Sequence, residues 1–158
     1  MTENELSHVV IGASIEVHRE LGGPGLLEGI YEEALCAELD LRRIPVNRQI
    51  EMPVNYKGRR LEKTYRLDVL VTDLVIVEVK AVESIHPIHQ AQLLTELRIT
   101  GKRLGLLINF GQQTLKEGIK RVVNGLQPET DSFATLCALR VFAFKQQQEQ
   151  THDRDSRC

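Results

Sequence analysis

Apolar side chains at Leu6, Val9, Val10, Ala13, Val17 and Leu21 recur at close to the spacing of one helix face. They predict a helix over residues 4–21. Gly22-Gly23-Pro24-Gly25 closes it, because glycine takes the left-handed cap and proline cannot continue a helix. Leu27, Ile30, Tyr31, Ala34, Leu35 and Leu39 predict a second helix over residues 26–42, with Glu28, Glu32, Glu33 and Glu38 on its wet side. After Pro45 the pattern turns strand-like, over 46–54, 60–71 and 74–80. Tyr56-Lys57-Gly58-Arg59 and Thr72-Asp73 read as turns. The third strand is apolar on both faces, as a central strand covered by helices should be. Ile88, Ala91, Leu94 and Leu97 bring the helical period back over 87–100, with Pro87 in the first turn and Gly101 at the stop. A fourth strand is expected over 103–110. A last helix is expected over 114–124, with Leu115, Ile119, Val122 and Val123 inward.

Short links between the first three strands imply an antiparallel meander. Strand, helix and strand between residues 74 and 108 imply a right-handed crossover with parallel strands. The expected fold is α/β, a mixed sheet of four or five strands with helices on both faces. That domain spans residues 1–125. Residues 126–158 read as an extension: a linker, an apolar element over 133–144, and a polar, disordered segment over 146–158.

A length of 158 residues suits one domain with its own core. No apolar run approaches the ~20 residues that span a bilayer, and Met1-Thr2-Glu3-Asn4-Glu5 does not resemble a signal peptide, so a cytoplasmic location and no membrane partner are expected. Cys36, Cys137 and Cys158 are odd in number and far apart, which indicates neither a disulfide framework nor a zinc knuckle. A formal net charge of −2 carries no global signature of nucleic-acid binding, so any such site must be a local patch.

The feature that stands out chemically lies in the most apolar stretch. Asp68 falls in one strand, and Glu78 and Lys80 in the next. Charges in such a place cost several kcal/mol unless paired or metal-bound, by roughly the cost of desolvating an ion. Alternation puts Glu78 and Lys80 on one face. Symmetric pairing about Thr72-Asp73 matches residue 68 with about residue 77, so Asp68 and Glu78 can meet. Two carboxylates and a backbone carbonyl make a hard-oxygen site suited to Mg²⁺. A neighbouring lysine would orient a water, lower its pKa or neutralise an oxyanion. The competing reading is a buried ion pair with no ligand.

Asp68, nine residues, then Glu78-Val79-Lys80 resembles the D…(D/E)xK core of the PD-(D/E)xK nuclease superfamily. Gly25-Leu26-Leu27-Glu28-Gly29-Ile30-Tyr31 reads G-x-x-E-x-x-Y. Ala91-Gln92-Leu93-Leu94 and the segment from Gly105 through Asn109 and Phe110 to Gly111 complete a pattern similar to the small GxxExxY proteins of that superfamily, over residues 5–125. The resemblance implies a restriction-endonuclease-like core and Mg²⁺-dependent hydrolysis of phosphodiester bonds in DNA, with Mn²⁺ as an alternative ion. Repair, recombination or defence would be the setting, and a homodimer is left open. By position, Asp68 and Glu78 would hold the metal with the Val79 carbonyl. Lys80 would be the catalytic lysine, Glu28 a helical acidic residue near the metal that ligates it or a bound water, and Gln92 a residue beside the site. The helix pattern Q-x-x-x-Y departs here, since Glu96 stands at its last position, and Leu67 replaces the usual proline before the first acid.

Taken alone, Glu28 reads as part of a solvated face, and Tyr31 as core with its hydroxyl reaching a carboxylate. His86 and His89 flank Pro87 in a loop. Their spacing allows metal ligation, phosphate contact or proton relay, and incidental placement is the simpler reading. Lys102, Arg103, Lys116, Lys120 and Arg121 are a candidate phosphate patch, and solvated surface is the simpler reading for most of them. Three Tyr, four Phe and no Trp leave few base-stacking platforms. Two alternatives to the nuclease stand: a nucleic-acid-binding or regulatory module that keeps the fold without robust cleavage, and a purely structural ion network.

Overall fold

The computed structural model describes residues 1–125. The element expected over 133–144 and the polar segment over 146–158 lie outside the described residues. Two helices come first, α1 (Glu3–Glu20) and α2 (Glu28–Leu41), followed by β1 (Val46–Tyr56), β2 (Arg59–Val71) and β3 (Val75–Lys80). Helix α3 (Pro87–Thr100), β4 (Leu104–Asn109), a 3₁₀ turn at Leu115–Gly118 and β5 (Ile119–Val123) complete the order. The sheet runs β1-β2-β3-β4-β5. Pairing is antiparallel for β1/β2, β2/β3 and β4/β5, and parallel for β3/β4. The meander, the parallel crossover through α3 and the mixed sheet therefore stand as expected.

Alternation along the central strands splits the core in two. Val69, Val71, Val75, Val77, Val79, Leu104, Leu106 and Ile108 face α1 and α2, packing on Leu6, Val10, Leu35 and Leu39. Leu67, Leu70, Ile76 and Leu107 face Leu93 and Leu97 of α3. Both faces of β3 and β4 are thus covered. Gly105 lets α3 come down onto the sheet, since a Cβ there would stand 2.7 Å from Leu93 Cδ1. Thr72 and Asp73, at φ 47° and 58°, form the mirror-image turn that matches strand twist.

The expected last helix is corrected. Residues 119–123 form an edge strand against β4, after a single 3₁₀ turn. The sequence signal was ambiguous for a physical reason. Ile119 packs in the α1/α2 core and Val122 in the α3 core. A three-residue spacing of apolar side chains fits one helix face, and it also fits a strand buried on both sides. Strand pairing prevails because β4 is buried along its whole length and its backbone groups need a partner.

Candidate active site

Strand β2 carries the first acid to the point where its ladder with β3 ends. Val69 opposite Val77 is the last regular pair, which puts Asp68 across from Glu78 rather than from residue 77. Beyond that pair, the Asp68 Oδ2 atom accepts the Val79 N–H at 3.0 Å, so a side chain takes the place of the missing strand partner. Alternation also breaks here. Leu67 belongs to the α3 core and Val69 to the α1/α2 core, although they are two residues apart. Across on β1, Gln49 sits at φ 53° and donates to Glu32 at 2.7 Å.

Glu78 and Lys80 share a face, as alternation requires, and Lys80 Nζ lies 2.5 Å from Glu78 Oε1. Glu28 reaches the same point from the start of α2. Its carboxylate accepts the Ala81 N–H at 3.3 Å and stands 3.8 Å from Lys80 Nζ. Tyr31 explains how. Its ring stacks on Phe110 at 4.6 Å, and its hydroxyl donates to the Gly23 carbonyl at 2.8 Å and accepts the Leu26 N–H at 3.1 Å. The expectation that this hydroxyl reaches a carboxylate is therefore corrected: it ties down the loop in which Gly23 and Gly25 adopt φ 94° and 121°. The loop fixes where α2 begins, and so where Glu28 points.

Asn109 lies in the motif segments but has no role that the motif assigns. Its side chain clasps Val82, accepting the Val82 N–H at 2.9 Å and donating to the Val82 carbonyl at 2.8 Å. It also accepts the Gly111 N–H at 3.1 Å, and the Phe110 N–H meets the Lys80 carbonyl at 2.7 Å. Gly111 abuts this clasp, for a Cβ there would lie 2.3 Å from the Val82 carbonyl oxygen. The chain leaving Lys80 is thus held from both sides.

Glu96 is the second such residue. It is 1% exposed on α3, the inner end of an acidic cluster rather than a surface charge. One oxygen accepts the Tyr65 hydroxyl at 3.0 Å, while Oε2 is sealed from solvent without a donor. Burial, and then the charge of Glu78, push its carboxyl up to about 7. Burial likewise raises Glu78, with Asp68 adding to the rise and Lys80 opposing it. Asp68 is raised by burial against the pull of the Val79 N–H and Lys80. For Lys80, burial disfavours the charge, but the hydrogen bond and charge of Glu78, with Glu28 and Asp68, outweigh it and hold the ammonium above the ordinary lysine range. Lys80 is therefore a cation here.

Gln92 lies exposed one turn before Glu96, outside this network. His86 and His89 cap α3: the ring nitrogens accept the Ile88 and His86 N–H groups, each at 3.3 Å. Of the candidate phosphate patch, Lys102 pairs with Asp73 at 2.8 Å, Arg103 with Glu3 at 2.5 Å, and Arg121 bonds Asn4.

A parallel pair of strands joined by a helix, entered through an antiparallel hairpin, with acids on β2 and β3 and a lysine two residues on, defines the restriction-endonuclease-like class of nuclease fold. The chain belongs to the PD-(D/E)XK nuclease superfamily, whose family model matches residues 4–122. No curated protein and no solved structure matches it. Among the described residues no helix is long and apolar enough to cross a membrane.

Members of this superfamily generally use divalent metal ions. Among the described residues no three acidic, histidine or cysteine side chains form a closed cage. The donors present nevertheless suit a hard ion that keeps several waters. Asp68 and Glu78 each hold back one carboxylate oxygen from the bonds just described, and together with Glu28 they set three carboxylates around a single lysine.

Proposed function

We propose that this protein is a Mg²⁺-dependent nuclease of the GxxExxY branch that hydrolyses phosphodiester bonds in DNA. The observation that carries the reading is the meeting of Asp68, Glu78, Glu28 and Lys80 where β2 and β3 part. Asp68 and Glu78, with the Val79 carbonyl, would hold the ion, Mn²⁺ being an alternative. Such an ion polarises a phosphoryl oxygen and neutralises charge in the transition state.

The rest falls to the protein's own groups. Without an ion bound, the carboxylates around Lys80 favour its charged form, which suits it to act as a donor and a positive charge. It orients the attacking water and stabilises developing oxyanion charge. Glu78 sets the position of Lys80 through their hydrogen bond. Glu28 shares the Lys80 charge and braces the Ala81 N–H. Gln92, exposed one turn from Glu96 on α3, would contact substrate rather than the ion.

One observation favours a second reading, a module that binds nucleic acid without robust cleavage. Glu96 puts an extra acid behind the site, which repels a phosphate once it ionises, above about pH 7. Cleavage of duplex, single-stranded and branched DNA with Mg²⁺ or Mn²⁺ distinguishes the two. Wild-type activity that Glu78→Gln and Lys80→Ala both abolish supports the nuclease. Activity surviving in both variants overturns it, and metal-independent binding without cleavage supports the second reading.

A further inference from the structure

The β1/β2 hairpin is much longer than the sheet needs. Strand β3 pairs with β2 only at Val69, Leu70 and Val71, whereas β1 and β2 stay paired out to Tyr56 and Arg59. The base of this ribbon is tied to α3, since Ile50, Met52 and Tyr65 pack against that core. Residues 59–64 are all exposed. From Arg59 to Asp68 is nine steps of strand, or about 30 Å at ~3.3 Å per residue. A two-stranded ribbon of this kind gains little stability from its own cross-strand contacts.

Its charge is one-sided. Lys57, Arg59, Arg60, Lys63 and Arg66 lie in ten residues with one acid, Glu62, in a chain whose net charge is −2. Among the described residues none of the five forms an ion pair, unlike Arg48 at the ribbon's base, which pairs with Glu32 at 2.6 Å. Arg66 has Glu51 as its strand neighbour, so the four cations from Lys57 to Lys63 are the free ones. Protection of an open strand edge would account for exposed lysines such as Lys57 and Lys63. It does not call for the adjacent pair Arg59-Arg60 or for an exposed aromatic at the tip. Tyr56, 60% exposed beneath Lys57 Nζ at the turn, adds an aromatic face at the tip.

We propose that the β1/β2 ribbon is a clamp for the phosphate backbone of duplex DNA entering the site at Asp68. The proposal rests on the nuclease reading for its choice of polyanion. Strand β2 joins the two directly, leading from the cationic tip to the first acid. A reach of about 30 Å is close to one turn of duplex, roughly 34 Å, and exceeds what a nucleotide or short oligonucleotide would use. A two-stranded ribbon also fits the major groove.

The test uses the full chain in Ca²⁺, with a 24-base-pair duplex followed by fluorescence anisotropy over a series of salt concentrations. The variant Lys57→Gln, Arg59→Gln, Arg60→Gln, Lys63→Gln should bind at least tenfold more weakly. Its slope of log affinity against log salt should fall by about 3 to 4, near 0.9 for each phosphate that is no longer neutralised. The charge-keeping variant Arg59→Lys, Arg60→Lys should retain most of the affinity, which separates charge from folding. Hydrolysis of bis(p-nitrophenyl) phosphate, too small to reach the ribbon, should be unchanged. Wild-type affinity and salt slope in the quadruple variant would overturn the clamp. Equal loss on a single-stranded 24-mer bound as tightly as duplex would overturn the choice of duplex. A wild type that binds duplex through the ribbon yet hydrolyses nothing would overturn the nuclease reading and leave the clamp standing.

Discussion

Replacing Glu96 with glutamine should stabilise the protein, by an amount that grows as pH rises from 4.5 and is complete only above about pH 7. Glu96 is 1% exposed, with one oxygen bonded to the Tyr65 hydroxyl and the other without a donor. Burial and the charge of Glu78 raise its carboxyl from the ordinary 4.5 to about 7. The folded state therefore binds this proton more tightly than the unfolded chain does. Below pH 4.5 both states are protonated and the group costs nothing. Between pH 4.5 and 7 the unfolded chain ionises while the folded protein holds its proton, so stability falls as pH rises. Above pH 7 the loss is complete. At about 1.4 kcal/mol per tenfold change in proton affinity, it amounts to about 3 kcal/mol.

Glu96→Gln keeps the shape, keeps an acceptor for Tyr65, and supplies an amide donor toward Glu78. In urea titrations with EDTA, the variant should gain about 3 kcal/mol over wild type at pH 8 and nothing at pH 4.5. Asp68 and Glu78 are also raised and add to the fall with pH in both proteins; because Glu78 is coupled to Glu96, the difference reads the Glu78–Glu96 pair rather than one carboxyl alone. The melting temperature at pH 8 should rise by about 10 °C for a domain of this size. A gap that stays constant across pH, or a variant less stable than wild type at pH 8, would refute the reasoning. Either result would mean that Glu96 is ionised and balanced in the folded protein.

Three other perturbations bear on the parts that hold the site together. Mg²⁺ or Mn²⁺ at a hundred times its dissociation constant should stabilise the wild type by about 2.7 kcal/mol, read as a thermal shift, and should leave Glu78→Gln unmoved. Gly111→Ala should cost about 3 kcal/mol in a urea titration, because its Cβ would overlap the Val82 backbone, which cannot yield without shifting the chain after Lys80. Tyr31→Phe should cost about 1–2 kcal/mol by the same measurement, since the Gly23 carbonyl and Leu26 N–H both lose the hydroxyl.

Much of this arrangement was legible in the residues because it follows from period and from the expense of buried charge. Alternation alone put Glu78 beside Lys80, and the short polar turn at Thr72-Asp73 brought Asp68 opposite them to within one position, the difference being Leu74, which also lies between the paired Val71 and Val75. What escaped were features that depend on contacts between distant segments. Ile119 and Val122 have a spacing that a helix and a doubly buried strand share, and only the open edge of β4 decides between them. Asn109 owes its part to Val82, 27 residues away, and Tyr31 spends its hydroxyl on backbone rather than on an acid. In the sequence Glu96 is visible only as a departure from an expected aromatic. Its burial beside Tyr65 depends on how closely α3 approaches the sheet, which Gly105 controls.

The near-neutral charge of the chain is also misleading as an average. Acids gather where β2 and β3 part, and cations gather on the ribbon that β2 extends away from that point. A polyanion is thus attracted at the ribbon and repelled at the site itself unless a divalent cation is present. These opposing preferences sit on one strand, separated by about 30 Å at ~3.3 Å per residue. On the proposed nuclease and clamp readings, binding and cleavage should respond to different variables: binding to monovalent salt through the ribbon, cleavage to the divalent ion through Asp68 and Glu78. A single overall charge could not give that separation. It requires the acids to be buried, where repulsion is weakly screened, and the cations to be exposed, where they are free to meet phosphate.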